Sequence, residues 1–289
     1  MYSKNGGVSR VLIADDDPVI RRWLKSILES NRFEVVSMRD GRDAFRTLMA
    51  DADFAGAVFD LSMPFLQGPD LIRYMRTEKR LMKIPVLMIT AETAINALTT
   101  CLSAGATMVL PKPFTKQRLQ QTLRMMLRDD SVGNKSESAS SLPRPTQKVS
   151  SDEMRRPLID RDDHEATLVD SVVDFSILND LSDPQDNDDG LIIELIDLYL
   201  ENGSRQVSEI KCAVEAKKAQ LLKETAHALK GSSLTIGARG VGNICEQIER
   251  EQVGSSVLAD LLTKLESTFG STSEAFQLAR RDRLVPVTA

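Results

Sequence analysis

The chain has 289 residues, of which 42% are hydrophobic and 27% charged, with a formal net charge of −5. That length holds two domains of ordinary size, and the composition is that of a soluble globular protein. The acidic balance gives no whole-chain attraction to nucleic acid or to an anionic membrane, and no apolar run approaches the ~20 residues needed to span a bilayer. Cys101, Cys212 and Cys245 are odd in number and far apart. They indicate neither a disulfide framework nor a zinc site, so a reducing, cytoplasmic compartment is expected. The segment Met1 to Gly7 is polar and lacks the apolar core of a secretion signal.

Val11-Leu12-Ile13-Ala14 is a short continuous apolar run, the pattern of a strand buried on both faces of a parallel sheet. It ends in Asp15-Asp16-Asp17-Pro18. Ile20, Leu24, Ile27 and Leu28 then recur at helical spacing, with Pro18 suited to the first turn. A second strand is predicted at Glu34–Ser37 and a helix at about Asp43–Met49. Gly56–Phe59 forms a third strand ending in Asp60. Ser62-Met63-Pro64 and the turn residue Gly68 follow, then a helix over about Asp70–Glu78. Pro85–Ile89 is the fourth strand, ending in Thr90. A weaker helix at Ala94–Ser103 follows. Met108–Leu110 is the fifth strand, ending at Pro111-Lys112-Pro113-Phe114, and Lys116–Leu127 is an amphipathic helix.

Alternating strands and helices with short connections predict an α/β doubly wound, five-stranded parallel sheet. Reactive groups in such sheets gather at the carboxyl ends of the strands. Asp15, Asp16, Asp60, Thr90 and Lys112 all fall there. Taken singly, each has an ordinary reading as a turn, strand or solvated residue. Together, three carboxylates raise one another's pKa, and a hard cation taking oxygen ligands, Mg²⁺, relieves the repulsion. Asp60 is then placed to attack phosphorus, with a hydroxyl (Thr90) and an ammonium (Lys112) to spread the charge on the transferring group.

With Asp15-Asp16, Asp60, Met63-Pro64, Gly68, Thr90-Ala91 and Lys112-Pro113-Phe114 in this order, the first half resembles a response-regulator receiver domain over about residues 8–128. The resemblance implies strand order 2-1-3-4-5, Asp60 as phosphoacceptor, and Mg²⁺ held by Asp15, Asp16, Asp60 and the main-chain carbonyl of Ser62. It implies that Thr90 binds the phosphoryl group and that Lys112 pairs with it. It also implies docking through the first helix, with Val19 and Trp23 as exposed candidates, and through the Pro113-Phe114 loop. One position departs from the family. Receivers commonly carry an aromatic switch residue three before the lysine, and here that residue is Val109.

Residues 129–167 are rich in Ser, Pro and charge, and read as a flexible linker between a first domain over 1–128 and a second over 168–289. His164, among Asp162, Asp163 and Glu165, reads as solvated. Beyond the linker the pattern is helical throughout. Val172, Val173, Phe175, Ile177, Leu178 and Leu181 suggest a short lead-in helix, broken at Asp183-Pro184. Leu191 to Val214 forms a long helix. The next begins near Lys218, with Leu221, Leu222, Thr225, Leu229 and Leu234 offered as an inward stripe, and Gly237 and Gly240 punctuate its end. Val241, Ile244, Cys245 and Ile248 form another stripe, and Leu258 through Leu278 the last. Short links between long amphipathic helices predict an all-α up-and-down bundle.

His227 and Gly231 are four apart on one helix and share a face, with Lys230 beside them. The glycine removes the side chain that would cover the imidazole. An open imidazole near an ammonium suits a phosphoryl group better than a metal, since no second His, Cys or carboxylate stands at ligand spacing. The string His227-Ala228-Leu229-Lys230-Gly231-Ser232-Ser233 resembles a histidine phosphotransfer (HPt) domain. The resemblance implies that His227 is phosphorylated, that Lys230 helps hold the group and that Gly231 keeps the site open. Where some relatives place Gln, this chain has Glu249, which either orients the ring or faces solvent.

No glycine-rich nucleotide lid appears, so ATP-dependent kinase activity is not expected. Nor does a basic reading helix follow the receiver-like half. The expected function is a two-component phosphorelay intermediate. A sensor histidine kinase donates to Asp60, the group is exchanged with His227, and a downstream response-regulator receiver is the terminal partner. Two alternatives stay open: Asp60 as a phosphate sink, or a receiver gating a bundle that binds a separate partner without internal transfer.

Overall fold

The computed structural model describes residues 8–91, 95–127, 173–181 and 189–284. The predicted linker with His164, the polar start of the chain and the break at Asp183-Pro184 lie outside the described residues.

Five parallel strands, β1 (Arg10–Ala14), β2 (Glu34–Met38), β3 (Gly56–Asp60), β4 (Val86–Thr90) and β5 (Met108–Pro111), pair in the order β2-β1-β3-β4-β5. Their crossovers are α1 (Pro18–Ser30), α2 (Gly41–Ala50), α3 (Gly68–Thr77) and α4 (Ile95–Ala104), and α5 (Lys116–Leu127) closes the set. The two-residue period of a strand divides the core. Val11 and Ile13 face α1 and α5, while Leu12 and Ala14 belong with α2, α3 and α4 on the other side. Asp17 caps α1, its Oδ1 accepting the Val19 amide at 2.8 Å, and Pro18 fills the first turn as expected. Gly68 is required by close approach, since a Cβ there would meet the Asp60 carbonyl oxygen at 2.4 Å.

The second half comprises α6 (Phe175–Asp180), α7 (Asp189–Glu215), α8 (Ala219–Ile236), α9 (Arg239–Arg250) and α10 (Ser256–Leu284). Helices α7 to α10 form a four-helix ring, and α6 lies on α8. Leu195, Tyr199, Leu222, Leu229, Ile236, Cys245 and Phe276 are fully buried in it. Gly237 ends α8 at φ 88°, and a Cβ there would also strike the Asp174 carbonyl oxygen at 2.4 Å.

Two predicted core positions face water instead. Leu221 is 39% exposed and Leu278 55%. The inward stripe of α8 runs through Leu222, Thr225, Ala226 and Leu229, and Leu221 lies about 100° around the helix from it.

The α/β half and the bundle form one compact unit. Helix α1 packs on α7 and α8, and its apolar residues share one continuous cluster with the bundle core. Val19 and Trp23, expected to be exposed, are therefore buried, at 0% and 1%. Trp23 stacks on Phe114 at 5.2 Å between centroids. Arg22 Nε donates to Glu194 Oε1 across the same junction at 2.7 Å.

Candidate functional site

A cavity of about 550 Å³ lies where the carboxyl ends of the strands meet α8. Asp15, Asp16, Asp60, Ser62 and Lys112 line it from one side, and His227, Gly231 and Glu249 from the other. Two groups of residues separated by more than a hundred positions in the chain thus face one volume.

On the sheet side, β1 and β3 lie side by side, so their ends bring Asp15 and Asp60 together. Lys112 follows β5, and its amide donates to the Thr90 carbonyl at the end of β4 at 2.6 Å. Its ammonium reaches between the acids, 2.6 Å from Asp60 Oδ1 and 3.1 Å from Asp15 Oδ2. The other Asp60 oxygen accepts the Ser62 amide at 2.9 Å. Burial pushes the Asp15 carboxyl up, partly opposed by Lys112. Burial, with the charge of Asp60, pushes Asp16 up to about 6. Burial alone would lower the Lys112 ammonium, but Asp15 and Asp60 outweigh it and push it up. Thr90 is buried at its strand end, and its neighbour Ala91 rather than Thr90 lines the cavity.

These carboxylates are the hard oxygen donors that Mg²⁺ takes, and their desolvation is what a cation would relieve. Among the described residues no three such side chains converge as a finished cation cage. The ammonium of Lys112 already lies between two of them. In donor chemistry the set fits the ion.

On the bundle side, Glu249 of α9 joins His227 and Lys230. Its Oε1 lies 3.1 Å from His227 Nδ1, and its Oε2 accepts from Lys230 Nζ at 2.6 Å. The open choice at Glu249 resolves toward the ring. Burial would raise its carboxyl, but the hydrogen bonds from His227 and Lys230 outweigh that and hold it below its ordinary value. An ionised carboxylate only accepts, so in the neutral imidazole the proton faces Glu249 on Nδ1 and the lone pair lies on Nε2. The imidazole side chain is 21% exposed. Lys230 does not line the cavity and is tied to it through Glu249. A Cβ on Gly231 would meet Ile20 Cδ1 of α1 at 3.9 Å, so the glycine faces the other half of the molecule as well as the imidazole.

The sequence reading missed Gln220, Lys223 and Glu224, which line the cavity one and two turns before His227. Positions 220, 223, 224, 227 and 231 share one face at helical spacing, a signal present in the sequence. Val109, where receivers commonly carry an aromatic residue, is half-buried and packs on the core shared with α2 to α4.

A family profile described as the response regulator receiver domain matches residues 11–124, and one described as the Hpt domain matches residues 194–275. The chemotaxis protein CheY1 of Helicobacter pylori is 34% identical over 119 residues, covering 41% of this chain and 96% of that protein. The transcriptional regulatory protein TctD of Salmonella typhimurium is 36% identical over 119 residues, covering 41% of this chain and 52% of its relative. Among solved structures, the receiver domain of the sensor histidine kinase PA1611 from Pseudomonas aeruginosa, described with a magnesium ion coordinated in its active site cleft, is 25% identical with a TM-score of 0.40. The match covers 43% of this chain and all of that one. Receiver domains bind Mg²⁺ in their active site, and a receiver together with an Hpt domain supports a role in a two-component phosphorelay. With its acid cluster at the strand ends and its imidazole on a bundle helix, the chain belongs to the response-regulator family, a receiver domain joined to an Hpt domain.

Proposed function

We infer that this chain is an intermediate station of a cytoplasmic phosphorelay in which Asp60 and His227 exchange a phosphoryl group within one molecule. The observation that carries the reading is that both side chains line the same cavity. A sensor histidine kinase supplies the group to Asp60, and a receiver on another protein removes it from His227.

In the forward step the Nε2 lone pair of neutral His227 attacks phosphorus. The P–O bond to Asp60 breaks, and its electron pair returns to the carboxylate. Nδ1 keeps its proton, and Glu249 offsets the positive charge that develops on the ring. Lys112 follows the carboxylate oxygen as it regains charge, and Lys230 holds the Glu249 carboxylate that faces the ring. Asp15, Asp16, Asp60 and the Ser62 carbonyl are the residues that would hold Mg²⁺. When bound, the ion supplies neutralising charge to the phosphoryl oxygens. Packing of α1 on the bundle gives transfer the advantage of an intramolecular reaction. No helix among the described residues is long and apolar enough to cross a membrane.

Radiolabelled acetyl phosphate tests the scheme. The unmodified chain should carry label as both an acyl phosphate and a phosphohistidine. His227→Ala should keep the acyl phosphate and lose onward transfer, and Asp60→Ala should lose both. A chain in which His227 never takes label would instead be a receiver gating a non-transferring bundle.

A further inference from the structure

A second cleft, of about 490 Å³, opens beside the first along the junction of the two domains. Arg21, Arg39 and Arg42 line it from the receiver, and Arg205 and Asn202 line it from α7. Phe65 forms part of the wall between this cleft and the phosphotransfer cavity.

The grouping is unusual in a chain of net charge −5. Four guanidinium groups line one cleft with two carboxylates, Asp16 and Asp40, while Asp43 and Glu209 reach Arg39 and Arg205 from outside it. Asp40 is engaged as the cap of α2, accepting the Asp43 amide at 2.8 Å, and Asp16 belongs to the acid cluster. Arg39 approaches its acids no closer than 3.8 Å. Arg21 is fixed by donating to the Asp15 carbonyl at 2.7 Å, and Arg205 by Asn202 and Glu209. A guanidinium has five N–H donors, so each fixed arginine retains several for a ligand.

The aromatic residue adds a second, independent feature. Phe65 is 72% exposed, and its backbone stands at φ 69°, a region that bulky residues rarely adopt. The Arg42 guanidinium lies over its ring, 4.0 Å from the centroid. A flat apolar surface is thus held in water among forked cations. That combination matches a ligand with a planar ring at one end and several phosphate oxygens at the other. The volume is in the range of small-molecule sites.

We propose that this cleft binds a nucleotide polyphosphate, with its phosphates among Arg39, Arg42 and Arg205 and its base against Phe65. Because the arginines come from both domains, the bound nucleotide bridges the receiver and α7. The proposal does not depend on transfer between Asp60 and His227.

Isothermal titration calorimetry of the full chain, in EDTA to silence the acid cluster, tests it with ADP, pyrophosphate and adenosine. ADP should bind saturably, and more weakly as salt is raised. Arg42→Ala and Arg205→Ala should each weaken ADP about tenfold, while His227→Ala leaves it unchanged. Phe65→Ala should erase the advantage of ADP over pyrophosphate. Pyrophosphate binding as tightly as ADP to the unmodified chain would overturn the aromatic half of the assignment. No saturable heat from ADP or pyrophosphate at millimolar concentration would overturn the site, as would unchanged binding to the Arg42→Ala/Arg205→Ala double variant. Circular dichroism checks that each variant remains folded, as expected for Arg42, Arg205 and Phe65, which are exposed.

Discussion

In the receiver domain the candidate site residues come from the ends of β1, β3, β4 and β5, spread from Asp15 to Lys112. In the Hpt domain His227, Lys230 and Gly231 stand within one helix, and Glu249 joins them from the next. Asp15, Asp60, Thr90 and Lys112 of the first group are buried, and one ammonium stands between two of its carboxylates. The second lies on a partly solvated face. Carboxylates and an ammonium drawn from several strand ends to one buried point need a whole sheet to hold them together. An acceptor imidazole needs a fixed tautomer and open space, which one helix and one cross-helix carboxylate provide. Damage should therefore reach stability first in the receiver and chemistry first in the bundle.

The sharpest test of that contrast compares the two lysines. Lys112→Ala leaves Asp15 and Asp60 facing each other in a buried site, and should destabilise the chain by about 3–5 kcal/mol at neutral pH without Mg²⁺. Urea denaturation measures it. The loss should shrink in acid, because the Asp15 carboxyl is already pushed up by burial and neutralises readily. Lys230→Ala should cost about 1 kcal/mol, since Glu249 keeps His227 as a partner and is partly in water. Equal costs for the two would break the comparison.

Gly231 separates helix stability from domain approach. A Cβ there has ordinary contact with Ile20 and nothing closer. Gly231→Ala should therefore raise helix stability by about 1 kcal/mol and change transfer little. Gly231→Phe puts a ring into the cavity that Gly231 and His227 line, and should slow transfer from Asp60 to His227 about tenfold or more, equivalent to ~1.4 kcal/mol of barrier. Label transfer and thermal melting on the same samples distinguish the two effects.

How much of this was legible in the sequence follows from the same physics. A parallel sheet sends its strand ends to one edge, so Asp15, Asp60, Thr90 and Lys112 could be grouped from chain order alone. The His227 string was legible because helical spacing is local. The meeting of the two domains was not. Val19 and Trp23 read as an exposed docking face, and they are buried because the domain that docks there belongs to the same chain. A clue existed: α1 carries apolar residues at 19, 20, 23, 24, 27 and 28, a stripe wider than one sheet face requires. Glu249 stayed undecided because periodicity fixes the face of a helix and not its partner 22 residues away. Leu221 was misplaced for a simpler reason, as either of two adjacent leucines can continue a stripe.

Glu249→Gln probes the bundle site more gently. Glutamine keeps an acceptor for Nδ1–H and removes the charge facing Lys230. At pH 7 the loss should be about 1 kcal/mol. The carboxyl is held below its ordinary value of 4.5 in the folded chain. Its contribution is therefore complete above that value and disappears as pH falls through the lower folded one. Urea midpoints of the two proteins should differ at neutral pH and converge in strong acid. A gap that persists there would assign the effect to shape rather than charge.

The smallest expected effect concerns the join itself. Arg22 and Glu194 form an ion pair across α1 and α7, with both side chains partly in water. Such pairs contribute about 0.2–1 kcal/mol. Trp23, the single tryptophan of the chain, is buried one residue away and reports on the join. Arg22→Glu alone places two acids together and should shift Trp23 emission to the red as water enters. Glu194→Arg alone should do likewise, and the double reversal should restore the native spectrum. Raising salt should narrow all the differences, because the pair is screened. Additive shifts in the double variant would mean that the apolar contacts of α1 hold the domains together unaided. The receiver and the bundle would then share a surface whose partner choice owes nothing to this charge pair.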